Sequence, residues 1–147
     1  MPGERPTRDQ YVYWEQVTTR WADIDVYGHM NNARYFEIID TVVNNQLAVA
    51  TGVDIRALDA IGVVAEVGCR YFAEIGYPAP VDVGVVADRV GTSSVVYRVG
   101  LFQGDGQEAC AEGRFVHVYV DNTDRARPVT PMPDVIRAAV TPLVRPV

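Results

Sequence analysis

Tyr35-Phe36-Glu37-Ile38-Ile39-Asp40-Thr41-Val42-Val43-Asn44-Asn45-Gln46-Leu47-Ala48-Val49-Ala50 is the one long stretch of this chain with a helical pattern. Tyr35, Phe36, Ile39, Val42, Val43, Leu47 and Ala50 recur at three- and four-residue intervals, which aligns them on one face of an α-helix. Asn31 or Asn32 can cap its start, and Gly52 stands where a C-terminal stop belongs. Ile38 and Val49 widen the apolar stripe, which predicts a helix buried on more than one side. Such an element needs a large apolar surface around it.

The flanking segments supply that surface. Upstream, residues 1–10 are rich in Pro, Gly and charge and read as a loose arm. Tyr11 to Thr19 is mostly β-branched or aromatic and suits a first strand. Arg20 to Asn32 is polar, carries Gly28 and reads as a loop. Downstream, Ile61, Val63, Ala65, Val67, Cys69 and Tyr71 alternate in period two, and Val81–Val90 follows the punctuation Gly76-Tyr77-Pro78-Ala79-Pro80. Val95, Tyr97, Val99 and Leu101 continue the alternation. Gly104-Asp105-Gly106 then marks a hairpin into a strand from about Gln107 to Val120, and a short helix is expected near Pro133.

The order strand, long helix, four long strands defines an α+β fold: one hydrophobic helix wrapped by a curved antiparallel sheet. A single domain over residues 11–147 is expected. A sheet of this kind has long free edges, which favours self-association by sheet extension.

Composition removes several function classes. The formal charge is -6 and the sequence pI near 4.8; all thirteen cations are arginines, scattered from Arg5 to Arg145 without a basic block. That balance argues against a nucleic-acid partner. Cys69 and Cys110 lie in apolar segments without metal-binding spacing and read as reduced, buried thiols. The N-terminus has no apolar stretch behind its charges, and no run of 18 apolar residues occurs, so a cytoplasmic protein without a membrane span is expected.

The chemistry concentrates just before the helix, in Arg20-Trp21-Ala22-Asp23-Ile24-Asp25-Val26-Tyr27-Gly28-His29-Met30-Asn31-Asn32-Ala33-Arg34-Tyr35-Phe36. First-turn N–H groups of a helix lack intrahelical acceptors and, with the helix dipole, stabilise developing negative charge. A carboxylate beside them can attack an activated acyl carbon or take a proton from water. Asp25 is the candidate, with His29 able to orient water or substrate; Asp23 reads as structural and one of the two asparagines as a helix cap. A calcium loop over Asp23, Asp25 and Gly28 fails, because Tyr27 and Arg34 occupy positions that need oxygen ligands. Asp23, Asp25 and His29 lack a further ligand cluster, so no metal site is assigned.

The spacing Asp23, Asp25, Gly28, His29, Asn31, Asn32, Tyr35 resembles the motif Asp-x-Asp-x-x-Gly-His-x-Asn-Asn-x-x-Tyr of the 4-hydroxybenzoyl-CoA thioesterase-like branch of the hotdog superfamily. The element order agrees across about residues 11–120, and Arg70-Tyr71-Phe72-Ala73 with Gly76 and Pro78 resembles the family's strand and turn before the next sheet crossing. The resemblance implies hydrolysis of an acyl-coenzyme A or acyl-carrier-protein thioester without a cofactor, by a homodimer or homotetramer with active sites at the subunit interface. It makes Asp25 the catalytic carboxylate and His29 a second catalytic candidate. Tyr27, Gly28, Asn31, Asn32 and Tyr35 are expected to contact substrate, with the Asn32 N–H as oxyanion donor; related carrier-protein thioesterases have asparagine where this chain has Tyr27. Glu66 reads as a solvated acid and His117, alternating with Phe115 and Tyr119, as a core or interface histidine. The alternatives are an acyl-thioester hydratase or dehydratase, or a non-catalytic acyl-thioester binder.

Overall fold

The computed structural model describes residues 4–145. β1 (Tyr13–Val17) is followed by α1 (Asn32–Thr51), then β2 (Ala60–Tyr71), β3 (Val81–Val90), β4 (Ser94–Gln103), β5 (Ala111–Asp121) and a short α2 (Asp134–Val140). The strands form one antiparallel sheet in the order β1-β3-β4-β5-β2. β3, β4 and β5 form a meander, whereas β2 lies at the far edge beside β5 and β1 at the opposite edge beside β3. α1 makes this possible: twenty residues at about 1.5 Å each span about 30 Å, more than the roughly 19 Å width of five strands.

α1 starts at Asn31, whose side chain accepts a hydrogen bond from the Ala33 N–H, and stops at Gly52 in the left-handed conformation (φ 67°). Tyr35, Ile38, Ile39, Val42, Val43, Gln46 and Leu47 are buried against the sheet and α2. Fully burying each aliphatic side chain contributes about 1.5–3 kcal/mol, so this face dominates the helix's attachment. The expectation of burial on several sides is overturned. Val49 is 75% exposed and Ala50 is exposed too, because the apolar positions that pack share a single stripe with Gln46, whose amide donates to the Ala139 carbonyl at 3.1 Å. Gly113 provides a notch for Ile39, since any Cβ there would collide with its Cδ1.

Part of the other face of the sheet is covered by the segment expected to be a loose arm. Residues 1–3 lie outside the described residues, but Arg5 donates to the Ala109 carbonyl, the Ala109 N–H donates to the Pro6 carbonyl, and Arg8 reaches the Gly104 and Gly106 carbonyls and Asp82. This contact also takes up residues 107–110, so β5 begins at Ala111 and not near Gln107. Pro, Gly and charge signal an arm only while nothing receives it; here arginine donors meet free carbonyls. Tyr11 is buried over a bed made by Gly84 and Gly100, which face each other on β3 and β4, and its hydroxyl donates to Glu112. Glu112, buried itself, also receives Arg70 at 3.0 Å and Arg98 at 3.3 Å.

At Gly100 a Cβ would sit 2.5 Å from Tyr11 Cζ. Gly100→Ala is therefore expected to lift Tyr11 and the arm and to cost about 1–3 kcal/mol in urea unfolding. Faster amide exchange over residues 5–12 should accompany the loss, and exchange as slow as in the parent would contradict the packing.

Candidate active site

Between β1 and α1 the chain makes a 3-10 turn at Trp21–Asp23 and a tight loop closed by pairing of Ile24 with Met30. The Asp25 N–H donates to the His29 carbonyl at 2.9 Å and the Gly28 N–H to the Asp25 carbonyl at 3.1 Å. Gly28 sits at φ 81°, a backbone shape that a Cβ disfavours, so glycine is required for the turn.

Asp23 anchors this loop to the helix. Its side chain is 1% exposed and accepts hydrogen bonds from the Arg20 N–H at 2.8 Å and the Arg20 guanidinium at 2.7 and 3.0 Å. Arg34 Nε lies 3.2 Å away, an electrostatic contact whose N–H is not aimed at the oxygen. The Asp23 carbonyl accepts from the Asn31 N–H at 2.7 Å, fixing the residue that caps α1. Burial alone would raise the Asp23 pKa, but hydrogen bonds from Arg20 and the charges of Arg34 and Arg20 outweigh it and hold the carboxyl below its ordinary value.

Asp25 is half-buried. Its Oδ1 accepts from the Tyr27 N–H at 2.8 Å and the His29 N–H at 3.3 Å, while Oδ2 makes no hydrogen bond among the described residues. The carboxylate lines an open cleft of about 400 Å³ together with His29, Asn32, Tyr35, Tyr71 and Glu74. His29 Nε2 stands 2.9 Å from Glu74 Oε2. Tyr71 donates its hydroxyl to Asn32 Oδ1 and packs edge-on against Tyr35 with ring centroids 5.0 Å apart. Burial pushes the Tyr35 and Tyr71 phenols up to about 12, so both stay protonated donors near neutral pH.

The first turn of α1 opens onto the same cleft. The Ala33 N–H is taken by Asn31 Oδ1 at 3.0 Å and the Arg34 N–H by the Asn31 carbonyl at 2.9 Å, whereas the Asn32 N–H finds no acceptor among the described residues. One helix-terminal amide is thus left without an acceptor in a residue that lines the same cleft as Asp25.

Of the residues singled out in the sequence, Asp25, His29, Asn32 and Tyr35 meet in this cleft. Gly28 and Asn31 line a separate depression on the other flank of Asp25, with Trp21, Ile24 and Val26, and Tyr27 is exposed on the loop. Tyr71 and Glu74 were not assigned to the site from sequence. Tyr71 reads as one more member of an alternating strand and Glu74 as a turn acid, and only the crossing of β2 behind α1 brings them to His29 and Asn32. Glu66 pairs with Arg114 on the sheet and takes no part in the cleft.

Residues 19–140 match the thioesterase-like superfamily, and the chain belongs to it. The PA5185 protein of Pseudomonas aeruginosa PAO1 is similar in sequence and structure, at 40% identity over 96% of this chain and 97% of that one, with a TM-score of 0.90. The 1,4-dihydroxy-2-naphthoyl-CoA thioesterase of Synechocystis shares the fold at 13% identity, covering 87% and 94% of the two chains, with a TM-score of 0.78. The gentisyl-coenzyme A thioesterase BH1999 does so at 16% identity, covering 88% and 100%, with a TM-score of 0.75. No curated protein matched the sequence. The mixed α+β architecture, one antiparallel sheet carrying a helix, agrees with the hotdog fold of these enzymes. Among the described residues no helix is long and apolar enough to cross a membrane.

A carboxyl held below its ordinary value stabilises the fold fully above about pH 4, and that stabilisation is lost as pH falls through the lowered value. Asp23→Asn is expected to cost about 2–4 kcal/mol at pH 7, because Arg34 keeps its charge without a buried counter-ion. It should also flatten part of the acid-side decline below about pH 4. Urea unfolding at pH 7 and pH 3 measures both; the same acid loss in variant and parent would contradict the anchor.

Proposed function

We propose that this protein is a cytoplasmic acyl-CoA thioesterase in which Asp25 carries out the chemistry. The observation that supports this most is that one cleft is lined both by Asp25, whose Oδ2 makes no hydrogen bond among the described residues, and by Asn32, whose N–H makes none. A thioester carbonyl seated with its oxygen on that amide presents its carbon to the carboxylate. Negative charge developing on the oxygen is stabilised by the amide and by the positive end of the α1 dipole. The backbone N–H groups of Tyr27 and His29 hold Asp25 by Oδ1, so Oδ2 reacts from a fixed position and little orientation is lost at the moment of reaction.

The same placement serves two routes. In one, Oδ2 attacks the acyl carbon, the thiolate leaves, and water opens the resulting anhydride. In the other, Oδ2 takes a proton from a water that attacks directly. His29, held by Glu74, is positioned to orient that water or to return a proton to the departing thiolate. Tyr71 fixes the Asn32 side chain, and Tyr35 and Tyr71 form an apolar wall beside it.

A second copy of the chain completes the molecule in this reading. β2 is twelve residues long, lies at the sheet edge and exposes Val63, Val64, Val67 and Tyr71. A long apolar edge of this kind is stable in water when another strand pairs with it. Tyr71, at the end of that edge, belongs to the cleft, so pairing there would build the substrate site from two subunits.

Asp25→Asn is expected to lower thiol release from acyl-CoA at least about 100-fold with the fold intact; an equal rate would remove Asp25 from the chemistry. Single turnover in ¹⁸O-water separates direct water attack, which labels the released acid, from attack by Asp25 with water opening the anhydride at the Asp25 carbon, which releases unlabelled acid and leaves the label in the Asp25 carboxylate. Val64→Lys, which puts a charge on the β2 edge, is expected to convert an oligomer to a monomer by sedimentation and to lower thiol release with it. A variant that sediments like the parent would place the contact elsewhere.

A further inference from the structure

Two carboxylates, Asp25 and Glu74, line the cleft beside the start of α1, and no arginine does. Glu74 is placed there by its neighbours in the chain. The Ala73 N–H donates to the Cys110 carbonyl at 3.0 Å, the Ile75 carbonyl accepts from the Met30 N–H at 2.8 Å, and the Gly76 N–H donates to Gln103 Oε1 at 3.0 Å. Ile75 itself is fully buried. The Glu74 side chain is 73% exposed, but its backbone is fixed at the cleft edge.

The neighbouring cations are already paired. Arg70 lies beyond Phe72, with its guanidinium over that ring, and pairs with Glu112; Arg34 stands against Asp23 and Glu37. Positive charge inside the cleft comes from two sources. The first turn of α1 carries roughly half an elementary charge, and the His29 imidazole stands 2.9 Å from Glu74. Two carboxylates exceed the helix end alone, and they still exceed it together with a protonated His29. The lining is therefore net negative in either state of the imidazole. The phenols of Tyr35 and Tyr71 stay protonated and add no charge. A volume of about 400 Å³ corresponds to a sphere about 9 Å across, so a charge bound inside lies within about one Debye length of both carboxylates.

We propose that Glu74 is a specificity-determining residue, through which the cleft takes acyl groups without negative charge and disfavours those that end in a carboxylate. This rests on the reading of the cleft as the acyl-thioester site and adds the class of acyl group to it. A carboxylate carried in by the acyl group meets Glu74 and Asp25 with no fixed side-chain cation to receive it. An uncharged chain or ring meets Met30, Tyr35, Tyr71 and Phe72 instead.

Glutaryl-CoA and 5-methylhexanoyl-CoA carry acyl groups with the same heavy-atom skeleton, one ending in a carboxylate and the other in an isopropyl group. The charges of coenzyme A are common to both and cancel in the ratio of their kcat/KM values. That ratio is expected to favour the neutral thioester in the parent and to narrow as salt is raised. Glu74→Gln keeps the shape and removes the charge, and should shrink the ratio about 3- to 5-fold, the range of one exposed charge pair; Glu74→Lys should shrink it further. Each ratio is taken within one protein, so any effect of Glu74 on the shared chemistry through His29 drops out. Calorimetric titration of the matching thioethers, in which a methylene replaces the thioester carbonyl, reads the same preference without hydrolysis. A binding ratio that follows the charge at position 74 without any thiol release would remove Asp25 from the chemistry and keep the role of Glu74. Thiol release with one and the same ratio in the parent, Glu74→Gln and Glu74→Lys would overturn the role of Glu74 and leave that of Asp25 intact. No binding of either thioether would overturn both.

Discussion

Burial of one face of α1 against the sheet is the interaction on which the rest of the molecule depends. Ile38, Ile39, Val42, Val43 and Leu47 each lose essentially all contact with water, and at about 1.5–3 kcal/mol apiece they outweigh any surface ion pair, which contributes about 1 kcal/mol or less. Ile39 fits over Gly113, so the helix is fixed along its axis as well as about it. The location of its first turn follows, and with it the location of the open Asn32 amide.

The polar loop converts that placement into a site. Asp23 is nearly inaccessible yet bears charge, an arrangement that is stable only because Arg20 surrounds its carboxylate and Arg34 stands beside it. Its carbonyl then holds Asn31, and Asn31 caps α1. Two aspartates two residues apart thus have different work. One is sealed and binds the loop to the helix, while the other keeps an oxygen free at the edge of a cleft. The difference comes from which side of a tight loop each residue falls on.

The outer face of the sheet answers a different requirement. Five strands present two faces, and α1 with α2 covers one. The segment from Arg5 to Tyr11 covers part of the other, with Tyr11 lying flat over paired glycines and Glu112 satisfied by a phenol and two guanidiniums. Among the described residues the β2 edge has no neighbouring strand, and it adjoins the Asp25 cleft through Tyr71.

Local rules were enough for much of this. The three- and four-residue spacing from Tyr35 to Leu47 determined α1, period-two runs determined β2 and β4, an apolar run after Gly76-Tyr77-Pro78-Ala79-Pro80 determined β3, and Gly52 and Gly104-Asp105-Gly106 marked real stops and turns, because each of these features is decided within a few residues of itself. The Asp25, His29, Asn32 and Tyr35 grouping was also legible, since all four lie within eleven residues of one loop and helix start. Other features depend on residues far apart in the chain, and only the tertiary structure decided them. Val49 is exposed although its composition fits the stripe, because the sheet meets only one side of the helix. Arg5 and Arg8 hold their part of the arm to the sheet because they meet carbonyls about a hundred positions away. Tyr71 and Glu74 join the cleft, and His117 is left with an unpaired nitrogen beside Gly62, because strand order is set by how the helix crosses the sheet, and no local window of sequence contains that crossing.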